Sequence, residues 1–294
     1  CLSGHPDLVS FLIDQGAEFK KDRFMDWDVL MITCCRGHHE VVKILIDQGQ
    51  MDINSKDNDG ATPLMISCLF GHLLVVKKLI QKGANVNLKD NKDQNVLMKA
   101  CQGKGGSDIL QILFDKGVKF DTNNSQIKDI DGNNCLMLAC LSRNLEAIRF
   151  ILKTFKKPGM LSQNKEGSTA LMMACDRGDL EIVQMMEPFL DRDVLWLKNK
   201  EGWNALMIAC RSGNPQIVQI LLDHKAPINP QGTPTTPLII SCQHGHHPIV
   251  LNLLEKGSRL EPEENTRVSP LLVACEGGHR DIVQTLISHK AHKI

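Results

Sequence analysis

Cysteine and histidine recur along this chain of 294 residues at a spacing that could support chemistry. The pattern Cys-x-x-x-His occurs four times, at Cys34 and His38, Cys68 and His72, Cys242 and His246, and Cys275 and His279. Thiolate sulfur and imidazole nitrogen are the ligands that zinc prefers. A histidine can also act as the base that activates a nucleophilic cysteine. Each of these functions needs further groups beside the pair.

The sequence around the pairs does not supply those groups. A structural zinc site needs about four ligands, whereas each pair offers two and a glycine that breaks the helix separates them. A catalytic cysteine is one exposed thiolate with an oriented base, yet nine of the eleven cysteines occupy equivalent positions. We therefore expect no catalytic residue, no metal and no cofactor, including at the histidine-rich stretch 242–247, and no enzymatic activity.

A repeat explains the cysteines instead. A leucine stands four residues before each of eight cysteines, so the two side chains share one face of a helix. The leucines recur at intervals of 32 to 39 residues, and a period near ~33 residues is typical of stacked helix pairs. Each cysteine is expected to fill a small apolar space against the neighbouring repeat. The leucines are Leu30, Leu64, Leu97, Leu136, Leu171, Leu206, Leu238 and Leu271, and the cysteines are Cys34, Cys68, Cys101, Cys140, Cys175, Cys210, Cys242 and Cys275.

Local signals predict the elements that position these residues. Two residues before each leucine stands a side chain that can cap a helix N-terminus. These residues are Asp28, Thr62, Asn95, Asn134, Thr169, Asn204, Thr236 and Ser269. Apolar residues spaced three and four apart then predict a second helix, as in 41–46 and 217–222. Polar, turn-rich stretches such as 54–61 and 87–94 lead to the next pair.

The stretch DNDGATPLMISCLFGHLLVVKKLIQKGANVN, residues 57–87, resembles an ankyrin repeat almost position for position. The resemblance implies an all-α solenoid of helix pairs with short β-hairpin-like loops, forming a single domain over residues 1–294. It divides the chain into a partial repeat at 1–25 and eight repeats at 26–59, 60–92, 93–131, 132–166, 167–201, 202–233, 234–266 and 267–294.

Two departures from the family are systematic. Methionine follows the leucine in six repeats where the family usually has histidine, and cysteine replaces the usual alanine. We expect sulfur packing to take the place of histidine hydrogen bonds between repeats. Irregular stretches at 103–132, 153–161 and 187–196 either serve binding or are tolerated at the surface.

The resemblance implies a non-catalytic scaffold that binds protein or peptide partners through a concave groove and loop tips. The alternative is a regulatory or assembly segment of a larger channel or enzyme whose active part lies outside this chain. Both ends resemble cuts in a longer protein, because Cys1 enters mid-helix and the last helix keeps apolar residues. Flanking domains are therefore expected.

Composition limits the partners and the location. The 34 basic and 34 acidic side chains cancel, so no excess charge favours nucleic acid. No apolar run reaches the ~18 residues of a membrane helix, so no membrane insertion is expected. Equivalent cysteines on helices roughly 8–10 Å apart lie beyond the reach of a disulfide. Reduced thiols indicate an intracellular, cytoplasmic protein, with the nucleus or the cytoplasmic side of a membrane left open.

The family's binding surface, projected onto the chain, selects loop tips and the exposed side of the first helices. The candidate partner-binding residues are Trp27, Arg36, Phe70, Arg177, Trp203, Arg211 and His244. Tryptophan and arginine often anchor interfaces, and Arg177 with Arg211 is expected to form a basic ledge for a carboxylate. Alternatively, the tryptophans pack on neighbouring loops and the arginines form a solvated face.

One asparagine is a candidate modification site. Asn87, eight residues after Leu79, resembles the asparagine that the oxygen-sensing asparaginyl hydroxylase modifies in ankyrin repeats. The alternative is that Asn87 only shapes the turn.

Overall fold

The first helix of each repeat begins at its predicted capping residue. Thr62 Oγ1 accepts a hydrogen bond from the Met65 N–H at 3.3 Å, and Asn95 Oδ1 accepts one from Met98 at 2.9 Å. The six other predicted caps accept in the same way: Asp28, Asn134, Thr169, Asn204, Thr236 and Ser269. The register of eight first helices is confirmed.

A computed structural model describes residues 4–17, 26–48, 51–120, 127–156, 158–231, 235–260 and 268–291. The described residues fall into two compact units, residues 1–159 and residues 160–294. Within each unit they form helix pairs, which confirms the all-α repeat architecture. The expectation of a single domain stays a prediction.

The first unit contains α1 (Pro6–Asp14) and four helix pairs. The pairs are α2 (Val29–Arg36) with α3 (His39–Asp47), α4 (Pro63–Phe70) with α5 (Leu73–Gln81), α6 (Val96–Gln102) with α7 (Ser107–Asp115), and α8 (Cys135–Ser142) with α9 (Leu145–Thr154). First helices pack on first helices, from α2 through α4 and α6 to α8, and second helices pack on second helices. The unit therefore consists of two rows of helices.

The second unit repeats this arrangement with one addition. It contains α10 (Ala170–Asp176), α11 (Leu180–Met186), α12 (Arg192–Trp196), α13 (Ala205–Ser212), α14 (Pro215–Asp223), α15 (Pro237–Gln243), α16 (His247–Glu255), α17 (Pro270–Glu276) and α18 (Arg280–Ala291). A 3₁₀ turn, Glu187–Phe189, and α12 form the irregular stretch at 187–196, where Asp191 caps α12. This irregularity is an added short helix.

A side-chain turn builds each described loop tip. Asp57 Oδ1 accepts hydrogen bonds from the backbone N–H groups of Asp59 at 3.0 Å and Ala61 at 2.7 Å. The same pair of bonds recurs at Asp90, Asp129, Asn164 and Asn199. Neighbouring tips are joined through the backbone, as where the Asn91 N–H donates to the Asp59 carbonyl at 2.9 Å. The tips are hairpin-like, although the described residues contain only one isolated β-bridge, between Lys89 and Asn95.

The repeated cysteines are buried with one exception. Those buried are Cys34, Cys68, Cys101, Cys140, Cys175, Cys210 and Cys242. Burial raises the pKa of Cys34, Cys210 and Cys242 to about 12, so these thiols are neutral at physiological pH. The packing prediction was wrong for Cys275, which is exposed together with Leu271 and Leu272 on the face of α17 that turns away from α15. Cys1 lies outside the described residues.

Histidines that follow the helix-ending glycines join successive repeats. The Nε2 atoms of His72, His246 and His279 lie 2.8, 3.2 and 3.3 Å from the carbonyl oxygens of Cys35, Arg211 and Gln243, each near the end of the preceding first helix. Methionines do pack at the position after leucine, where Met31, Met65 and Met98 are buried. The expectation of sulfur packing at the position after leucine therefore agrees with the structure. The histidine hydrogen bonds between repeats come from a different position, directly after the glycine.

The buried cysteines are expected to tolerate loss of volume better than gain. Cys175→Ala should be mild, whereas Cys175→Leu should lower the free energy of unfolding by roughly 1–3 kcal/mol because the seam has no spare space. Urea denaturation measures both changes. The matched control is Cys275→Leu on the exposed face of α17, which should change stability little. Equal losses at Cys175 and Cys275 would contradict the packing role.

The histidine link should be replaceable by asparagine. His72→Ala leaves the Cys35 carbonyl without this partner and should cost about 1 kcal/mol of stability. His72→Asn should recover part of the loss, since Asn144 and Asn214 occupy the equivalent place in other repeats and donate to carbonyls of the preceding repeat. His39→Ala is the control, because the half-buried His39 lies 3.3 Å from Glu40 of its own helix. If His72→Ala has the same melting temperature as the wild type, the histidine does not stabilise the contact between repeats.

Candidate functional site

A cavity of about 310 Å³ opens between the loop tips and first helices of the first unit. Helix α4 supplies its apolar side with Met65, Ile66, Leu69 and Phe70. The loop tips supply Trp27, Asp57, Asn58, Asp59 and Ala61, and α6 supplies Lys99. Two of the candidate binding residues, Trp27 and Phe70, are therefore brought together in one cavity, and the Phe70 side chain is 39% exposed.

The indole of Trp27 is held by the next loop tip. Its Nε1–H donates to Asp57 Oδ2 at 2.9 Å. Gln94, at the equivalent position two repeats later, donates to Asp129 Oδ2 at 3.1 Å in the same way. Trp27 thus packs on its neighbouring loop, as the alternative interpretation held, and its half-buried ring still lines the cavity.

Lys99 is a lining residue that sequence reasoning missed. Its Nζ lies 2.6 Å from Asp90 Oδ2, and the Asp90 side chain is 1% exposed. The other oxygen of Asp90 accepts two backbone N–H groups, so this carboxylate fixes both a loop tip and the lysine. The sequence does contain a signal for this residue, because Lys99 is charged while the corresponding positions of two other repeats hold Ile66 and Ile208.

A second cavity, of about 270 Å³, occupies the corresponding place in the second unit. Met172, Met173 and Asp176 line it from α10, where the first cavity has Met65, Ile66 and Leu69 from α4. Helix α13 adds Ile208 and Arg211. The tips contribute Asn164, Glu166, Ser168, Asn199, Lys200 and Glu201. The two cavities share a location in the repeat and differ in chemistry.

Arg211 is fixed from two sides. Its guanidinium carbon lies 4.9 Å from the centre of the Trp203 ring, and Nη2 lies 2.6 Å from Asp176 Oδ1. Trp203 is half-buried beneath this arginine. Stacking of a guanidinium on an indole is a favourable cation–π arrangement. The ring and the carboxylate together hold Arg211 at the edge of the second cavity.

Arg177 and Arg211, which the sequence predicts as a basic ledge, are each paired with a carboxylate. The Arg177 Nε lies 3.2 Å from Asp179 Oδ2, and the Arg211 Nη2 lies 2.6 Å from Asp176 Oδ1. The position directly after the cysteine, which Arg211 occupies, belongs to Asp176 in the preceding repeat, and Arg177 stands one residue further on. The two arginines are therefore not in equivalent positions, and a ledge formed by both stays a prediction.

Five candidates do not line either cavity: Arg36, Asn87, Arg177, Trp203 and His244. Arg36 is exposed near the end of α2, and exposed His244 places Nδ1 3.0 Å from the Ile240 carbonyl. Asn87 is exposed, and its backbone N–H donates to Asn85 Oδ1 at 2.9 Å, so it takes part in a turn. Hydroxylation of Asn87 stays a prediction.

The arrangement is suited to binding, and the buried cysteines are poorly suited to act as nucleophiles. The buried thiols are held neutral, and each linking histidine faces a carbonyl of the preceding repeat. Across the residues placed by the structure, no group of three or more histidine, cysteine, aspartate or glutamate side chains is arranged to hold a metal ion. Among those same residues, no helix has both the length and the apolar character needed to span a membrane.

Comparison with known families gives a match along the whole chain. A family model described as ankyrin repeats (3 copies) matches residues 1–90, 75–163, 97–194, 151–232, 185–264 and 229–294. These segments overlap and together cover the chain. Comparison with curated proteins gives no match.

The indole hydrogen bond of Trp27 should contribute to stability separately from its ring. Trp27→Phe keeps an aromatic wall for the cavity but removes the donor to Asp57, so the free energy of unfolding should fall by about 1 kcal/mol. Chemical denaturation measures the change. Trp203→Phe is the control, since the ring of Trp203 stacks on Arg211. A larger loss for Trp203→Phe than for Trp27→Phe would contradict this assignment.

Proposed function

We propose that this chain, which belongs to the ankyrin-repeat family, is a non-catalytic scaffold that binds a protein or peptide partner. Ankyrin repeats generally act as protein–protein interaction modules. The partner would dock in the cavities between loop tips and first helices. Neither nucleic acid nor lipid is proposed as the partner, because the chain carries 34 basic and 34 acidic side chains.

The observation that carries this proposal is the recurrence of a cavity at the same place in both units. Each cavity presents a side chain of a type enriched at the centres of interfaces, Phe70 beside Trp27 in the first and Arg211 in the second. Concave sites that combine apolar walls with a few fixed polar groups are the usual form of binding sites. We also propose an intracellular location, since the described cysteines are thiols and not disulfides.

The two anchors, Phe70 and Arg211, should matter more than residues on the second helices. Partners are first identified by affinity capture with the full chain and mass spectrometry, and the purified partner is then titrated by calorimetry. Phe70→Ala or Arg211→Ala should weaken binding by ~2 kcal/mol or more, about thirtyfold, at whichever cavity the partner uses.

The matched control must lie on a second helix and take no part in a network. Gln184→Ala on α11 meets this requirement, because Gln184 is exposed. Gln219 does not, since Asn252 donates to its Oε1 at 2.7 Å and its Nε2 donates to Asp223. If Phe70→Ala and Arg211→Ala both bind like the wild type while Gln184→Ala loses affinity, the binding face has been assigned to the wrong side.

A further inference from the structure

We infer that the cavity of the first unit takes a peptide segment in which a large apolar side chain lies next to a lysine or arginine. The inference rests on the proposed function and names the partner's chemistry at one of its two cavities. It follows from two features of the cavity, an apolar interior and an acidic rim.

The interior suits one large apolar side chain. Met65 and Ile66 are 1% and 3% exposed and form a closed floor, while Phe70 stands half-open beside them. The only polar atom of the Trp27 ring, Nε1, is already bonded to Asp57, so its ring offers a ligand an apolar face. A volume of about 310 Å³ is at the lower end for ligand pockets, which span roughly 300–1,000 Å³. It therefore matches an anchoring side chain of a peptide.

The rim carries two carboxylates, Asp57 and Asp59, and neither is in an ion pair with a cation of the described residues. Asp57 accepts hydrogen bonds from the neutral N–H groups of Trp27, Asp59 and Ala61, which leave its charge in place. Asp59 is exposed, and within the described part of the chain it forms no ion pair. Lys99, the cation among the lining residues, is paired with Asp90. The complement to two carboxylates beside an apolar pocket is a cationic side chain next to an apolar one.

The second cavity shows why this ligand is assigned to the first. Asp176 stands there in the position of Leu69, and Arg177, in the position of Phe70, does not line the cavity, so the second cavity lacks the apolar side chains that Leu69 and Phe70 supply in the first. Of the described residues that line it, none is aromatic, and Arg211 brings a cation to its edge. Met172, Met173 and Ile208 line the second cavity, and Glu166 and Glu201 stand there with the cations Lys200 and Arg211. A peptide with an apolar anchor and a cation would therefore lose the aromatic contacts of the first cavity and meet two cations.

The test uses the full chain and a random dodecapeptide library displayed on phage. The selected peptides should carry leucine or an aromatic residue close to lysine or arginine. One such peptide, synthesised with a fluorescent label, is then measured by anisotropy against five proteins: wild type, Phe70→Ala, Arg211→Ala, Asp59→Lys and Asp131→Lys. Asp131 is the matched control because it holds the same place in its own loop tip, donating its backbone N–H to Asp129 as Asp59 does to Asp57.

Binding should weaken about tenfold or more for Phe70→Ala and for Asp59→Lys, and should stay unchanged for Asp131→Lys. A peptide whose basic residue is replaced by glutamate should prefer Asp59→Lys to the wild type. Circular dichroism confirms that each variant is folded.

Failure of this inference and failure of the proposed function would give different results. Peptides that depend on Phe70 but lack a basic residue, or that bind Asp59→Lys as tightly as wild type, overturn the inference and leave the scaffold function standing. Peptides indifferent to both Phe70→Ala and Arg211→Ala overturn the proposed function as well. A library that yields no enriched peptide counts against the inference alone.

Discussion

One contact between consecutive repeats underlies both the helix ends and the spacing of the array. Gly37 ends α2 with φ +78, a left-handed conformation that glycine adopts without strain. A Cβ at this glycine would lie 2.6 Å from Nδ1 of His72 in the next repeat, so glycine also provides room for that ring. The ring in turn bonds the Cys35 carbonyl, which the end of the helix leaves unpaired. The end of the first helix and the spacing between consecutive repeats therefore depend on the same atoms.

The irregular stretch after Gln102 preserves this contact by other means. The backbone N–H of Lys104 donates to the Leu69 carbonyl at 2.9 Å, and a side chain at Gly103 would overlap that carbonyl. In the following repeat, Asn144 Nδ2 donates to the Gly103 carbonyl at 2.7 Å. The sequence GKGG, residues 103–106, therefore resembles a loop insertion, but its backbone makes the hydrogen bond that His72 makes in another repeat. For this reason the longer repeat still stacks on its neighbours.

The fold was predictable because its signals are local and repeated. Thr62 and Asn95 cap helices through atoms three residues away, and the leucine–cysteine pair needs only helical periodicity. The site was less predictable, since its contacts join residues about one repeat apart. Arg211 with Asp176 and Trp27 with Asp57 depend on which side-chain conformer each neighbouring repeat permits. By contrast, the choice of Trp27 and Phe70 as partner-binding residues rested on their position in the repeat, and both line the first cavity.

Because glycine, histidine, leucine and cysteine hold the array, the positions just after the cysteine are free to vary. Leu69 and Phe70 make the first cavity apolar, whereas Asp176 makes the second one polar, and neither choice alters the cap or the seam of its repeat. Arg211, stacked on Trp203 and paired with Asp176, is already ordered before any partner arrives, so less conformational entropy is lost on binding. Recognition chemistry can therefore differ between the two units without a change in the repeat that carries it.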